Sequence, residues 1–297
     1  MTRRIAALLL AVVLLAAGCS GSRDRGGVVV TTNILGDITR TIVGDQAAVT
    51  VLMKPNADPH SFGVSAQQAA DLERAALIVY NGLGLEEGVL RHVQAAGQAG
   101  VPTLAAGERA DPIQYAEGQP DPHFWTDPAR MRTAVDAITE QVIAHAGVDE
   151  AVVRGNAGRL RGEIDALEAM MSERFGRIPP QRRKLVTNHH VFGYLAQRFG
   201  FQVIGAVIPS GTTLASPSAS DLNALAGAVR AAGVPAIFAD SSQPDRLARV
   251  LAEQAGLHVA VVALFSESLS EPGQGAGTYL EMMRANTEAI ANGLSRP

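Results

Sequence analysis

Short apolar runs, each followed by a longer amphipathic stretch, recur along this chain, and that alternation restricts the fold more than anything else in it. The runs are VVVTT (28–32), VTVLM (49–53), ALIVYN (76–81) and PTLAA (102–106), then KLVTN (184–188), FQVIGAVI (201–208), AIFAD (236–240) and HVAVVAL (258–264). Between them lie helical patterns such as AQQAADLERA, EEGVLRHVQAAGQA, SDLNALAGAVRAAG and PDRLARVLAEQAG. Strands rich in Val and Ile that alternate with helices of this length imply parallel βαβ units, hence an α/β fold. Ser220 ahead of Asp221, and Gly233 after the last periodic residue, give one helix its start and stop signals.

The middle of the chain breaks the alternation. From Glu150 to Phe175 no strand intervenes, and apolar residues fall at Val153, Ala157, Leu160, Ile164, Leu167, Met171 and Phe175. Steps of three and four mark one helical stripe. A helix of about 25 residues runs ~38 Å, longer than one α/β lobe needs. The prolines of RIPPQRRK then end it. Gly155, Gly158 and Gly162 weaken it, each by ~1 kcal/mol. The expected architecture is two four-stranded α/β lobes, residues 28–147 and 179–297, joined by one long helix within 148–178.

The opening MTRRIAALLLAVVLLAAGC has two arginines, an apolar run and then small residues, the build of a secretory signal. The run is too short to span a bilayer, which takes ~20 apolar residues. Ala16-Ala17-Gly18-Cys19 is similar to the lipobox of bacterial lipoproteins, so residues 1–18 read as a signal peptide and Cys19 as the lipidated residue. Residues 19–27 read as a flexible tether. Cys19 is the single cysteine, which leaves a mature chain without an internal disulfide or a cysteine metal site. The formal net charge is −4 and there is no Lys/Arg run, so nucleic acid is excluded as a partner.

Of the seven histidines, two sit in the same tripeptide, Asp58-Pro59-His60 and Asp121-Pro122-His123. His60 follows the second strand through KPNADP, and His123 follows the fourth through GERADPIQYAEGQPDP. His189 and His190 come directly after KLVTN. All lie just beyond the carboxyl ends of expected parallel strands, where open α/β sheets gather their ligand sites. Proline pushes the preceding aspartate out of helical backbone and fixes its own φ, so each imidazole is pre-positioned. Neutral imidazole binds Zn²⁺ at ~2.0–2.1 Å. A lone loop histidine is ordinarily exposed or hydrogen-bonded. Two in one setting and a third in the other half form a candidate metal set. His92 in a helical pattern, His145 near a helix end and His258 at a strand start are assigned structural roles.

Six stretches carry a resemblance: TTNILGDITRTIVGD (31–45), MKPNADPHSF (53–62), LIVYNGLGLE (77–86), DPHFWTDP (121–128), TNHHVFGYLAQRFGF (187–201) and SESLSEPG (266–273). In order and spacing the chain resembles the zinc- and manganese-specific substrate-binding lipoproteins of bacterial ABC transporters, in their zinc-like subgroup. The resemblance implies two α/β lobes bridged by a rigid helix, with one metal ion in the interlobe cleft. It also implies a monomeric, non-enzymatic binding protein outside the cytoplasm, lipid-anchored or periplasmic. Its partners would be an ABC permease and its ATPase, and a zinc metallochaperone is a further candidate. Cell adhesion is a related use of the scaffold without a feature of its own in this sequence.

Position by position, the resemblance places His60 and His123 at the first two ligands and His189 at the third, with His190 where the family has Asp. The family's TDSL reads SESL here, so Glu267 takes the fourth place; Asp240, at the end of AIFAD, is held in reserve. Glutamate is one methylene longer, so its backbone must sit further back or its carboxylate must tilt. Three imidazoles and one carboxylate fit tetrahedral Zn²⁺, whereas Mn²⁺ takes more oxygen ligands and is the alternative ion. Asp58, Asp121 and Asp127 are candidate partners for the ligand rings, and Trp125 and Phe62 candidate water shields. A second reading is an extracellular zinc hydrolase with Glu267 or Asp240 as base, although no H-E-x-x-H helix is present.

Overall fold

The computed structural model describes residues 26–256 and 259–295. The expected leader, Cys19 and His258 lie outside the described residues.

Two four-stranded parallel sheets hold the eight anticipated strands. The first has the order β2-β1-β3-β4, from Gly26–Val30 (β1), Val49–Val51 (β2), Ala75–Tyr80 (β3) and Thr103–Ala105 (β4). The second has the order β10-β9-β7-β8, from Lys184–Thr187 (β7), Gln202–Ala206 (β8), Ala236–Asp240 (β9) and Ala260–Leu264 (β10). In each sheet the order reverses beside the first strand, between β1 and β3 and between β7 and β9. Such a switch point opens a crevice at the carboxyl ends of the strands.

Side chains alternate across each sheet with period two. Val28, Val30, Leu77 and Val79 face one large core, while Val29 and Ile78 face a smaller one formed with Leu72, Val93 and Ala96. These come from helices Ala66–Arg74 (α2) and Leu90–Gln98 (α3). In the second sheet Leu185, Ala236 and Phe238 join the large core. Val186, Ile237 and Ala239 pack under Ala219–Ala232 (α8) and Arg246–Ala255 (α9). Both sheets thus share one continuous core, which also takes in Asn33–Val43 (α1), Pro128–His145 (α5), Glu150–Gly176 (α6) and Tyr279–Leu294 (α10).

The long middle helix is α6, capped by Asp149, whose carboxylate accepts from Ala151 N and Val152 N. Its buried residues are the seven of the anticipated stripe, Val153 through Phe175. They pack on α1 and α5 from the first half and α10 from the second. Burying an aliphatic or aromatic side chain is worth ~1.5–3 kcal/mol, so the stripe outweighs the three helix glycines.

Three local features differ from expectation. Strand β1 begins at Gly26, so the last two residues of the expected tether are paired backbone. Helix α8 starts two residues early, because Ser218 and Asp221 satisfy each other's backbone N–H groups in a capping box and leave Ser220 inside the helix. The segment before His123 folds back as a hairpin, Gln114–Ala116 (β5) with Gln119–Pro120 (β6). Too short for a period-two pattern, it read as loop. The short helices Ala106–Arg109 (α4) and Gly193–Phe199 (α7) complete the α-helices among the described residues, and 3-10 turns lie at Phe124–Thr126 and Pro180–Arg182.

Candidate metal centre

Four side chains from both halves converge at the crevice: His60, His123, His189 and Glu267. His60 follows β2, His123 follows the β5–β6 hairpin, His189 follows β7 and Glu267 follows β10. All are 0–1 % exposed. The Asp-Pro-His turns act alike: Asp58 Oδ1 accepts His60 N at 2.9 Å, and Asp121 Oδ1 accepts His123 N at 3.0 Å. Each aspartate thereby fixes the backbone that presents its imidazole.

One potential ligand atom from each residue lies within 4.8 Å of the other three. His123 Nε2 is 3.5 Å from His60 Nε2 and 3.3 Å from His189 Nε2. Glu267 Oε1 is 3.0 Å from His189 Nε2 and 3.5 Å from His123 Nε2, while its Oε2 is 3.7 Å from His60 Nε2. A regular tetrahedron with bonds of ~2.0–2.2 Å has edges of ~3.3–3.6 Å. These spacings are therefore those of donors around one small cation. The longer side chain of Glu267 reaches the group and straddles it, one oxygen toward His123 and His189 and the other toward His60.

The electrostatics favour a cation. Both oxygens of Glu267 are buried without a hydrogen-bond donor, as are Nδ1 of His60 and of His189. A carboxylate in that condition is strongly disfavoured. Burial, then repulsion from Asp240, Asp58 and Asp121, pushes Glu267 well above the ordinary carboxyl range. Burial pushes His60, His123 and His189 below theirs; His123 and His189 add to the effect at His60. The imidazoles are thus held neutral, the form that donates to a metal.

Behind the four candidate ligands, Asp121 Oδ1 lies 2.7 Å from His123 Nδ1 and fixes the ring with Nε2 inward. Burial raises the Asp121 carboxyl to about 7, against the lowering effect of the His123 backbone N–H. The other two candidate partners do not reach a ring. Asp58 holds His60 through its backbone. Asp127 accepts from Ala129 N as the cap of α5 and lies near Arg130 and Arg198. Trp125 does screen the site: its ring centroid is 5.2 Å from that of His123, and Nε1 donates to Ser266 O. Phe62 packs against the outer core of the first sheet instead.

Asp240 is outside the four-residue group. Its Oδ1 accepts from Ser242 N and Oγ, and its Oδ2 from Ser266 N and Oγ. Those bonds saturate it and anchor the segment leading into Glu267. His190 points its half-buried ring at Tyr115 of the hairpin, stacked at 5.8 Å. Two contributors escaped the sequence reading. Glu86, fully buried, accepts from Thr31 Oγ1, Asn81 N and Gly82 N, and so ties the ends of β1 and β3 together. Asn81 Nδ2 then donates to Pro122 O, bracing the second Asp-Pro-His turn. Both belong to LIVYNGLGLE, whose periodicity gives no sign that the acid is inside.

Comparison with known proteins identifies the family and the fold. Residues 28–293 match the family described as zinc-uptake complex component A, periplasmic. The zinc-binding protein TroA of Treponema pallidum is 30% identical, over 99% of both chains. The manganese ABC transporter substrate-binding lipoprotein PsaA of Streptococcus anginosus is 27% identical over 97% of both. The solved structure of the T. pallidum periplasmic zinc-binding protein TroA superposes with a TM-score of 0.85 at 28% identity, covering 92% of this chain and 100% of that one. The chain belongs to the zinc-uptake complex component A family of periplasmic substrate-binding proteins of ABC transporters.

Proposed function

We propose that the protein captures Zn²⁺ outside the cytoplasmic membrane through His60, His123, His189 and Glu267, and delivers it to an ABC permease. The family is one of metal-binding transport components, which work with a permease and an ATPase. The supporting observation for this ligand set is the near-tetrahedral spacing of three imidazole nitrogens and a carboxylate drawn from both halves of the chain. A nitrogen-rich tetrahedral set favours Zn²⁺ over Mn²⁺ in the Irving–Williams order. Four protein donors fill that shell, whereas hydrolysis needs a position open to water. In this reading Cys19 carries a lipid anchor, and the protein acts as a monomer, with a metallochaperone as a candidate metal source.

One observation favours manganese as a second reading. Glu267 turns both oxygens toward the imidazoles, and a bidentate carboxylate would give five donors with more oxygen character. The test is metal analysis of protein purified without added metal, followed by Zn²⁺/Mn²⁺ competition. The expected result is one Zn²⁺ per chain, lost in His189→Ala and not displaced by equimolar Mn²⁺. Equal metal content in the wild type and His189→Ala would rule out this ligand set, and displacement by Mn²⁺ would rule out zinc specificity.

A further inference from the structure

Among the contacts between the two halves, two sets of hydrogen bonds differ in burial. One set is buried and rides on the shared core. Asn33 Nδ2 donates to Ser268 Oγ at 2.8 Å and Leu269 N to Asn33 Oδ1 at 3.0 Å. Tyr194 OH donates to Asp121 O at 2.7 Å, and Tyr279 OH to Trp125 O at 3.0 Å. The other set is half-buried or exposed and made by side chains alone. Thr213 Oγ1 and Gln243 Nε2 donate to Asp58 Oδ2 at 2.6 and 3.1 Å, and Thr212 Oγ1 donates to Glu87 Oε1 at 3.2 Å. Contacts of the second kind can part without disturbing apolar packing.

Asp58 joins this second set to the metal centre. Its Oδ1 accepts His60 N, and its Oδ2 accepts Ser61 Oγ as well as the two donors from the second half. Thr213 comes from the loop after β8 and Gln243 from the loop after β9. Neither belongs to the four-residue group. The sister turn behaves differently: Asp121 Oδ1 serves both the backbone and the ring of His123, and its Oδ2 has no donor. Two like turns thus use their second carboxylate oxygen differently, and of the two only that of Asp58 is hydrogen-bonded across the cleft.

We propose that Asp58 is a positioning residue that couples the hold of His60 on the ion to closure of the cleft loops, with Thr213 and Gln243 as its latch. The proposal rests on the metal-capture reading above. When the loops of the cleft part, the turn under His60 loses two of the four donors around its carboxylate, and the His60 ring is freer to leave the ion. Because these bonds span the two sides of the cleft, breaking them is expected to act on release of the ion more than on its capture.

The test loads the mature chain with Zn²⁺ and follows release into excess chelator by stopped flow, for the wild type and for Thr213→Val with Gln243→Leu. Release is expected to quicken by about ten- to a hundredfold, the scale of two partly exposed hydrogen bonds of ordinary net strength, with association changed less than about twofold. Asp58→Asn, which keeps an oxygen for His60 N, should also release faster, and Thr213→Ser with Gln243 intact should release like the wild type. Wild-type release from the double variant, or an equal loss in the association rate, overturns the latch. A wild-type chain that takes up no metal would overturn the capture reading and this proposal together; a binding wild type with an unchanged double variant overturns the latch alone.

Discussion

Glu267 is under strong electrostatic strain, and with the three imidazoles it shapes how the protein answers to pH. Its folded-state pKa lies well above the ordinary 4.5. Before metal binds, the stability tied to its neutral form is present at low pH and is lost as pH rises through the raised value. The imidazoles have the opposite sign. Their folded pKa values lie below the ordinary 6.5, so the stability they contribute is present above that value and lost as pH falls through the window beneath it. A bound cation answers both costs: it neutralises the carboxylate and uses the imidazoles in their neutral form. The rise in melting temperature on adding Zn²⁺ should therefore be larger at pH 8 than at pH 5.5, and scanning calorimetry at both would measure it. Glu267→Gln should melt higher than the wild type without metal at pH 8. It should bind Zn²⁺ more weakly by at least the ~10–100-fold that loss of a ligand's hydrogen-bond partner already costs. The three candidate histidines were legible, because the Asp-Pro-His repeat and the strand ends mark them in the sequence, whereas Glu267 was offered only by the family resemblance. Glu86 and the double duty of Asp58 were not, because a buried acid and an exposed one look alike until the chain is folded.

Helix α6 shows how an element with poor intrinsic propensity is held by one face. Gly155, Gly158 and Gly162 lie opposite the stripe, and a Cβ at Gly158 would meet only the Arg161 guanidinium at 3.9 Å, while one at Gly162 would meet nothing within 4 Å. Replacing both glycines with alanine should stabilise the protein by about 1–2 kcal/mol, read as a shift of the urea midpoint with an unchanged slope. Leu167→Ala opens a void in a side chain 1 % exposed and should cost about 2–5 kcal/mol in the same experiment. If the two substitutions had similar effects, the stripe would not be what holds the helix. The period of α6 could be read because it runs for 27 residues on one face. The β5–β6 hairpin could not: its strands are three and two residues long, and tertiary contacts stabilise it. One of them is Tyr115 against Gly211, where a Cβ would come within 2.6 Å of the ring.

At the scale of the whole molecule, the pairing of two α/β sheets was readable from strand–helix alternation, but their fusion into one core was not. Alternation reports which faces are apolar, not which partner covers them. That fusion limits how far the halves can move. A wide hinge opening would expose Tyr194 and Tyr279, both fully buried in the shared core and hydrogen-bonded across the halves to Asp121 O and Trp125 O. Burial of side chains this large is worth several kcal/mol in sum, more than the half-buried side-chain contacts at the cleft can balance. Motion on metal binding should accordingly be confined to the loops beyond the carboxyl ends of the strands. Small-angle scattering with and without Zn²⁺ should give radii of gyration within about 1 Å of each other, the scale of change in preorganised complexes. Hydrogen exchange should slow on loading in residues 56–64, 188–192 and 209–213, while the core face of α6 stays protected throughout. A larger change in radius, or exchange along α6 that depends on metal, would mean that the halves separate through the core and that closure is not a matter of loops.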